Sequence, residues 1–308
     1  ILPARRCIFK HSRRYLRSSS AVLKIKRVGS SIICAMSFIK RGLAALVCLL
    51  LSGALSYGQQ IQSFDSPTAQ TTPPLIRLQR EVHADMTFLA DDALHGRGSA
   101  TRDEHIAALF VASRFQSLGL EPGGDNGTFL QKAALPNPLS PRLQHRLSKF
   151  EDTPHKETWN AVAMIRGTTL SNEVILLTAH LDHLGIGPAV NGDSIYNGAD
   201  DDASGTAAVL ALARLLAASR PSRTIVFALF GSEEIGGFGN RAFLAHPPVP
   251  LASIVANLEF EMIGRSDPAV PAGTLWLTGF NRSNLGPELV QHGAHLVKDP
   301  HPREKFFQ

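Results

Sequence analysis

The sequence predicts an α/β fold, in which a mostly parallel, twisted sheet carries helices on both faces. From residue 160 onwards, apolar runs of strand length alternate with helical patterns, which is typical of a parallel sheet with crossover helices. Several of these runs end directly in histidine or carboxylate residues. Because ligands in open α/β sheets bind outside the carboxyl ends of the strands, the sequence predicts a site of metal-ligand side chains at that edge.

The first 58 residues are expected to be absent from the folded protein. Met36 is the first methionine, so residues 1–35 are interpreted as upstream sequence translated in error, the alternatives being a basic arm or a longer targeting peptide. Residues 36–58 have a basic start, a short apolar core and small residues at the end, as in a secretory signal peptide cleaved after Gly58. The apolar run is shorter than the ~20 residues that cross a bilayer. We therefore expect a secreted or periplasmic protein with no stable membrane anchor after cleavage.

The charge and the cysteine content change once this segment is set aside. It holds 11 of the 31 lysines and arginines, none of the 26 acidic residues and all 3 cysteines. The remaining 250 residues carry a formal charge of −6, whereas the whole chain carries +5. The high isoelectric point is therefore no evidence for nucleic-acid binding, and the absence of cysteine after residue 58 excludes disulfides and cysteine-ligated zinc.

The folded part is predicted to begin with a polar linker over residues 59–75 and an N-terminal helical extension over residues 76–157. The extension is predicted to contain two helices, at about 78–89 and 102–118, because apolar residues recur there at helical spacing. Gly119 is well suited to end the second helix.

The α/β domain itself is predicted to span residues 158–308. The first two predicted strands, 161–165 and 174–178, are expected to be neighbours in the sheet. The remaining predicted elements are strands at 224–230, 254–260 and 274–278 and helices at 204–218, 238–244 and 284–295.

His180 and Asp182 come at the end of the second predicted strand. Residues i and i+2 of a strand point to the same side. Asp182 can therefore accept a hydrogen bond from the second ring nitrogen of His180, or orient the ring through a nearby group, as metal-bound histidines require. Alone, such a pair is more typical of an ordinary polar contact.

Three adjacent carboxylates, Asp200, Asp201 and Asp202, lie between small residues directly before an apolar helix. The helix dipole favours negative charge there, and a bound cation would relieve the repulsion between the three side chains. A calcium-binding EF-hand is excluded, because the twelfth position of the loop would be Ala211, which offers no carboxylate.

Glu233 and Glu234 follow the run 224–230, and Glu261 follows the run 254–260. Adjacent side chains diverge, so one glutamate can bind a metal while the other acts on a water molecule. A glutamate pair alone is typical of an exposed helix start. If Glu261 were buried without a partner, the burial of its charge would cost free energy. The combination of all these segments, in this order, indicates a metal-dependent hydrolase with two metal ions.

These segments resemble the co-catalytic zinc aminopeptidases of metallopeptidase family twenty-eight, the bacterial leucyl-type enzymes included. The resemblance covers about residues 88–308. The motifs that carry it are Leu94-His-Gly96-Arg97-Gly98, Leu118-Gly-Leu-Glu-Pro-Gly-Gly-Asp, Ala-His180-Leu-Asp182-His-Leu-Gly and Asn-Gly-Ala-Asp-Asp201-Asp-Ala-Ser-Gly. The resemblance implies a zinc exopeptidase fold, peptide substrates and two zinc ions that activate a shared water molecule.

The resemblance also implies a role for each of six residues. It assigns His180 and Glu261 to one zinc, Glu234 to the second, Asp201 to both as a bridge, Glu233 to the general base and Asp182 to the orientation of His180. Many members have aspartate at the position of Glu261, so a ligand of slightly different reach is expected there.

A last histidine ligand of the family, in a Ser/Thr-Asp-His context, is expected just beyond Gln308. We therefore expect a C-terminally truncated chain that lacks the final strand and helix. Its second zinc position would keep only Asp201 and Glu234. His295 and His301 lie nearby in the sequence but outside that context, and they are interpreted as surface residues.

Three alternatives remain at this point. The first is a glutaminyl cyclase-like acyltransferase with a single zinc, which zinc stoichiometry and a substrate with an N-terminal glutamine would distinguish. The second is a catalytically inactive fragment or binding domain on the same fold, as in the transferrin-receptor ectodomain. A serine hydrolase is disfavoured, because the chain contains no Gly-x-Ser-x-Gly motif.

Overall fold

The computed structural model describes residues 74–150 and 156–301. The predictions for residues 1–35, for the signal peptide 36–58 with its cleavage site and for nearly all of the linker 59–75 lie outside the described residues. In the part of the chain that the structure describes, no helix has both the length and the apolar character needed to cross a membrane.

Helices and strands alternate along the described chain. The helices are α1 (Pro74–Leu89), α2 (Arg102–Ser117), α3 (Pro141–Leu147), α4 (Gly205–Ala217), α5 (Phe238–Ala245) and α6 (Leu285–Gln291). The strands are β1 (Glu121–Pro122), β2 (Leu130–Ala134), β3 (Glu157–Ile165), β4 (Leu170–His180), β5 (Gly185–Val190), β6 (Asp193–Tyr196), β7 (Arg223–Phe230), β8 (Ile254–Glu259), β9 (Leu275–Leu277) and β10 (Leu296–Lys298).

The central sheet has the strand order β1-β3-β7-β4-β8, and β2 also pairs with β3. The α/β class is confirmed, but the mostly parallel pairing is found in only one half of the sheet. Strand β4 is parallel to β7 and β8, whereas β3 is antiparallel to β1, β2 and β7. The link 166–169 between β3 and β4 is too short for a crossover helix, so these two strands run in opposite directions.

The prediction that β3 and β4 are neighbours is wrong, because β7 lies between them. All eight residues of β7 are buried. A strand that is apolar on both faces is most stable in the middle of a sheet, where both faces are covered.

Helices cover both faces of the sheet, as predicted. On one face, α2 and α4 pack through Val111, Phe115 and Leu210 against inward residues of β3, β4 and β7. On the opposite face, Phe243 of α5 packs against Phe230 and the alternate residues of the same strands. The stretch 76–157 therefore contributes to this core, and it supplies β1 and β2 as well as helices.

The carboxyl ends of three neighbouring strands lie side by side in this sheet. His180 of β4 is opposite Phe230 of β7, and Thr178 of β4 is opposite Glu259 of β8. The segments that follow β4, β7 and β8 therefore leave the sheet at the same edge, which is where the sequence predicts the ligands.

Residues 266–301 belong to a separate compact unit. Strand β9, predicted over 274–278, pairs in parallel with β10 in a two-stranded sheet. Helix α6 is shorter than the predicted 284–295, and Gly293, with φ +91°, follows its end.

Candidate metal centre

His180, Asp201 and Glu261 form the first cluster at the carboxyl edge of the sheet. Each offers one ligand atom, and these atoms lie within 4.8 Å of one another. The closest pair is His180 Nε2 and Asp201 Oδ1, 3.0 Å apart. His180 is 2% exposed, whereas Glu261 as a whole residue is exposed, although desolvation of its carboxyl group raises its pKa.

Asp201 also belongs to a second cluster, together with Glu234 and His183. His183 Nδ1 lies 3.0 Å from Glu234 Oε1 and 3.7 Å from Asp201 Oδ2. The structure thus brings together all four residues that the sequence assigned to metal binding, and it places Asp201 between the two groups. Sequence reasoning missed His183, although it lies in the same His-x-Asp-His motif as His180.

Asp182 supports both the histidine and the glutamate pair. Its carboxylate accepts hydrogen bonds from the backbone N–H groups of Glu233 and Glu234, at 2.9 and 3.2 Å, and from Ser99 Oγ at 2.5 Å. Its backbone carbonyl, rather than its carboxylate, accepts from His180 Nδ1 at 3.0 Å, while the nearest carboxylate oxygen is 3.7 Å away. Asp182 therefore orients His180 mainly through its main chain.

Asp202 is a structural residue of the acidic loop. It is fully buried and accepts hydrogen bonds from the backbone N–H groups of His180, Gly205 and Met262. These bonds join the end of β4 to the start of α4 and to the segment after β8. Burial is the main cause that raises the pKa of Asp202 to about 8, and Glu261 adds to it against the effect of His180.

Arg97 joins the loops around the site. It is 1% exposed, and burial lowers its pKa to about 10. Its guanidinium donates hydrogen bonds to four backbone carbonyls, those of Leu89, Leu181, Asn197 and Gly198. These carbonyls belong to α1, to the residue after His180 and to the start of the acidic loop, so one side chain fixes three segments.

Glu104 of α2 lies beneath the glutamate pair and is fully buried. It accepts five hydrogen bonds, from the N–H groups of Ala100, Trp159 and Ser232 and from the hydroxyls of Thr158 and Ser232. Ser232 has a positive φ of 55°, so these bonds hold a strained residue directly before Glu233. Burial raises the pKa of Glu104 to about 8.

The charge distribution of the two clusters favours a cation. Burial lowers the pKa of His180, but the carboxylates of Asp182 and Asp201 outweigh burial and raise it well above its usual value. Three buried ligand atoms, His180 Nε2, His183 Nδ1 and Asp201 Oδ1, have no hydrogen-bond partner among the described residues. Zinc sites that contain no cysteine are built from histidine nitrogens and carboxylate oxygens. The residues present therefore fit this metal.

Glu233 extends from the loop after β7, and the residue as a whole is exposed. Desolvation of its carboxyl group raises its pKa to about 7, and the nearby carboxylates of Asp182, Glu234 and Glu261 add to this against the effect of His180. A carboxyl group with a pKa near neutrality is suited to accept and donate a proton.

The two other candidate histidines lie in the unit 266–301. His301 Nε2 is 2.6 Å from Asp267 Oδ2, and its ring contacts Trp276 edge to face. His295 lies just before β10. The interpretation of both as residues without a metal-binding role stays a prediction.

The fold and this site define a class of protein: α/β proteins with a histidine–carboxylate centre at the carboxyl edge of a mixed sheet. Residues 160–305 match the model of peptidase family M28.

Two relatives of this chain have names that fit a peptidase family. An aminopeptidase of Pseudomonas aeruginosa is 38% identical over 126 residues, 41% of this chain and 22% of the relative. A probable zinc metalloprotease of Pyrenophora teres f. teres is 38% identical over 172 residues, 54% of this chain and 32% of the relative. The chain therefore spans about a fifth to a third of the length of these relatives.

The fold is similar to that of a zinc aminopeptidase from Bacillus subtilis, with a TM-score of 0.50 and 15% identity. The similarity covers 70% of this chain and 78% of that structure. At this identity the likeness concerns the fold alone.

Proposed function

We propose that the chain carries the active site of a zinc-dependent exopeptidase of aminopeptidase type, which hydrolyses peptide bonds near a peptide terminus. The observation that supports this most is that Asp201 lies in two clusters of ligand-type side chains. A carboxylate shared between two clusters can serve two neighbouring metal ions.

His180, Asp201 and Glu261 would hold one zinc ion, and Asp201 and Glu234 would hold the second. Bound zinc supplies Lewis acidity, which lowers the pKa of a water molecule and polarises a scissile carbonyl. The protein residues then have two tasks: the ligands fix the positions of the reacting groups, and a base moves the proton.

Glu233 is the proposed base. It takes the proton of the attacking water as the water oxygen bonds to the carbonyl carbon, and then passes this proton to the amine nitrogen as the C–N bond breaks. Its main-chain N–H donates to Asp182, and the preceding Ser232 is held by Glu104. The loop is thus fixed on both sides while the Glu233 side chain stays accessible to a substrate.

Peptides are the proposed substrates, and the signal-like segment 36–58 supports export to the periplasm or the exterior. A single-zinc cyclase like the glutaminyl cyclases is the alternative activity. The presence of a second cluster around Asp201 favours the two-metal peptidase.

Glu233→Gln tests the proposal. We expect zinc binding to be retained and hydrolysis of aminoacyl-p-nitroanilides to fall by about 10²–10⁴-fold, because a proton acceptor is lost. Glu288→Gln, at a glutamate of helix α6 whose side chain is 47% exposed, is the matched control and should leave the rate unchanged. Unchanged hydrolysis in Glu233→Gln would refute the assignment of the base, and cyclisation of an N-terminal glutamine by the wild-type chain would favour the cyclase.

A further inference from the structure

We infer that Asn160 of β3 is a positioning residue, which closes the loop 231–239 and thereby sets the positions of Glu233 and Glu234. Asn160 belongs to neither ligand cluster, and its hydrogen bonds to the loop are made with main-chain groups. The inference rests on the proposed function, since this loop carries the proposed base and one of the proposed zinc ligands.

The side chain of Asn160 bonds to both ends of this loop. Its Oδ1 atom accepts a hydrogen bond from the N–H of Gly231 at 3.1 Å, and its Nδ2 atom donates to the carbonyl of Gly239 at 2.8 Å. The two glycines are also joined directly, because the N–H of Gly239 donates to the carbonyl of Gly231 at 3.1 Å. The end of β7 and the first turn of α5 are thus tied together, and the residues between them form a closed loop.

The two ends of the loop approach too closely for side chains. A Cβ atom on Gly239 would lie 2.2 Å from Asn160 Oδ1 and 2.5 Å from the carbonyl oxygen of Gly231. A Cβ atom on Gly231 would lie 2.3 Å from Thr158 Oγ1. Both positions therefore require glycine, so the two glycines leave the space that Asn160 bridges.

The amide of Asn160 is the chemical group that this closure needs. Asn160 is 0% exposed, and the second N–H of its Nδ2 atom donates at 2.9 Å to Oε1 of Gln131, its partner in the register of β2 and β3. Because an amide both accepts and donates, it can pair with an N–H at one end of the loop and a carbonyl at the other. Leucine, of similar size, can pair with neither.

The other supports of the loop act on its middle rather than on its ends. Glu104 accepts from the N–H of Ser232, and Asp182 accepts from the N–H groups of Glu233 and Glu234. Loss of the Asn160 bonds would let the two ends separate and would shift the glutamates relative to the rest of the site. A displacement of about 1 Å at a reacting group can reduce a rate about 100-fold.

Amide hydrogen exchange, resolved by residue in the full metal-free chain, tests the closure. In the wild type, the amides of Gly231 and Gly239 should exchange as slowly as those of β7. In Asn160→Leu, both should exchange about 10-fold faster or more, because a hydrogen bond that protects them is lost. If Asn160→Leu does not fold, as judged by near-ultraviolet circular dichroism, Asn160→Ser is the second variant, with the same changes expected.

Thr224→Val is the matched control, at the other end of β7. Thr224 is also 0% exposed, and its hydroxyl accepts from the N–H of Gly167 and donates to the carbonyl of Ser171. The control therefore loses buried hydrogen bonds of the same strand without touching the loop, and exchange at 231 and 239 should stay at the wild-type rate. Equal acceleration in both variants, or rapid exchange of the two glycines in the wild type, would overturn the inference.

Hydrolysis and zinc binding test the consequence for the site. In Asn160→Leu, kcat on aminoacyl-p-nitroanilides should fall about 10–100-fold with KM within about 3-fold. Zinc affinity should fall about 10-fold, because Glu234 lies on the loop. Thr224→Val should change neither. Faster loop exchange with wild-type kcat and zinc affinity would overturn the positioning role. Absence of hydrolysis by the wild-type chain would contradict only the proposed function, and the zinc affinities would then decide the inference.

Discussion

Two groups of polar residues meet at the carboxyl edge of the sheet, and they differ in how completely they are paired. The ligand cluster consists of His180, His183, Asp201, Glu234 and Glu261. Three of its buried atoms, on His180, His183 and Asp201, make no hydrogen bond to any described residue. The desolvation of Glu261 and the carboxylates around it raise its pKa.

The support layer consists of Arg97, Ser99 and Glu104, which come from the N-terminal part of the described chain. Arg97 donates to four carbonyls, and Glu104 accepts from five donors. Buried polar groups of this kind are stable when they are fully paired. Nearly complete pairing thus fixes the loops, whereas the ligand atoms without hydrogen bonds are available to a cation.

The largest effect on stability is expected from Glu104→Ala in the metal-free chain. It leaves five buried donors without an acceptor, and each unsatisfied group costs about 1–3 kcal/mol. We expect the free energy of unfolding in urea to fall by about 3 kcal/mol or more.

Glu261→Ala is the matched comparison within the ligand cluster. Because its carboxylate is in an unfavourable environment without a metal, its removal should change the metal-free stability by less than about 1 kcal/mol. Equal losses in the two variants would remove the distinction between the ligand cluster and the support layer.

The pH dependence of the stability sharpens the same comparison. The pKa of Glu104 is raised from 4.5 to about 8 in the folded chain, so the folded state binds a proton more tightly than the unfolded state between these values. The stability that Glu104 contributes is therefore present below about pH 4.5 and is lost as the pH rises towards 8. The slope is at most about 1.4 kcal/mol per pH unit.

Urea unfolding of the wild type and of Glu104→Gln at pH 5, 6.5 and 8, with a chelator present, measures this effect. The wild type should lose stability relative to the variant as the pH increases, because glutamine does not titrate. A stability difference that is independent of pH would show that Glu104 keeps one charge state throughout this range.

Three of the ligand residues, His180, Glu234 and Glu261, could be predicted because they follow apolar runs, and the carboxyl ends of neighbouring strands converge. Asp201 was predicted from a different signal, an acidic loop between small residues directly before an apolar helix. His183 lies only three residues beyond the end of β4, but its position beside Asp201 and Glu234 depends on the backbone contact with Arg97 and on the space left by Gly198. Those are tertiary contacts that spacing does not reveal.

The support layer could not be assigned for a related reason. Glu104 looks like an ordinary acidic residue in the first turn of α2, yet its partner Ser232 is 128 positions away. Arg97 lies in one of the family-like motifs, but the sequence could not assign it a role, because its partners are main-chain carbonyls. The position of β7 between β3 and β4 was missed because both flanking strands have similar apolar patterns, and pairing depends on which strand is buried on both faces.

Zinc binding by Asp201→Ala tests the central claim, that one aspartate serves two metal positions, most directly. Equilibrium dialysis with zinc should give two ions per chain for the wild type. For Asp201→Ala, both affinities should be reduced by more than about 100-fold, because a ligand of each ion is lost. A variant that keeps one ion at wild-type affinity would contradict the account, since Asp201 would then serve a single position.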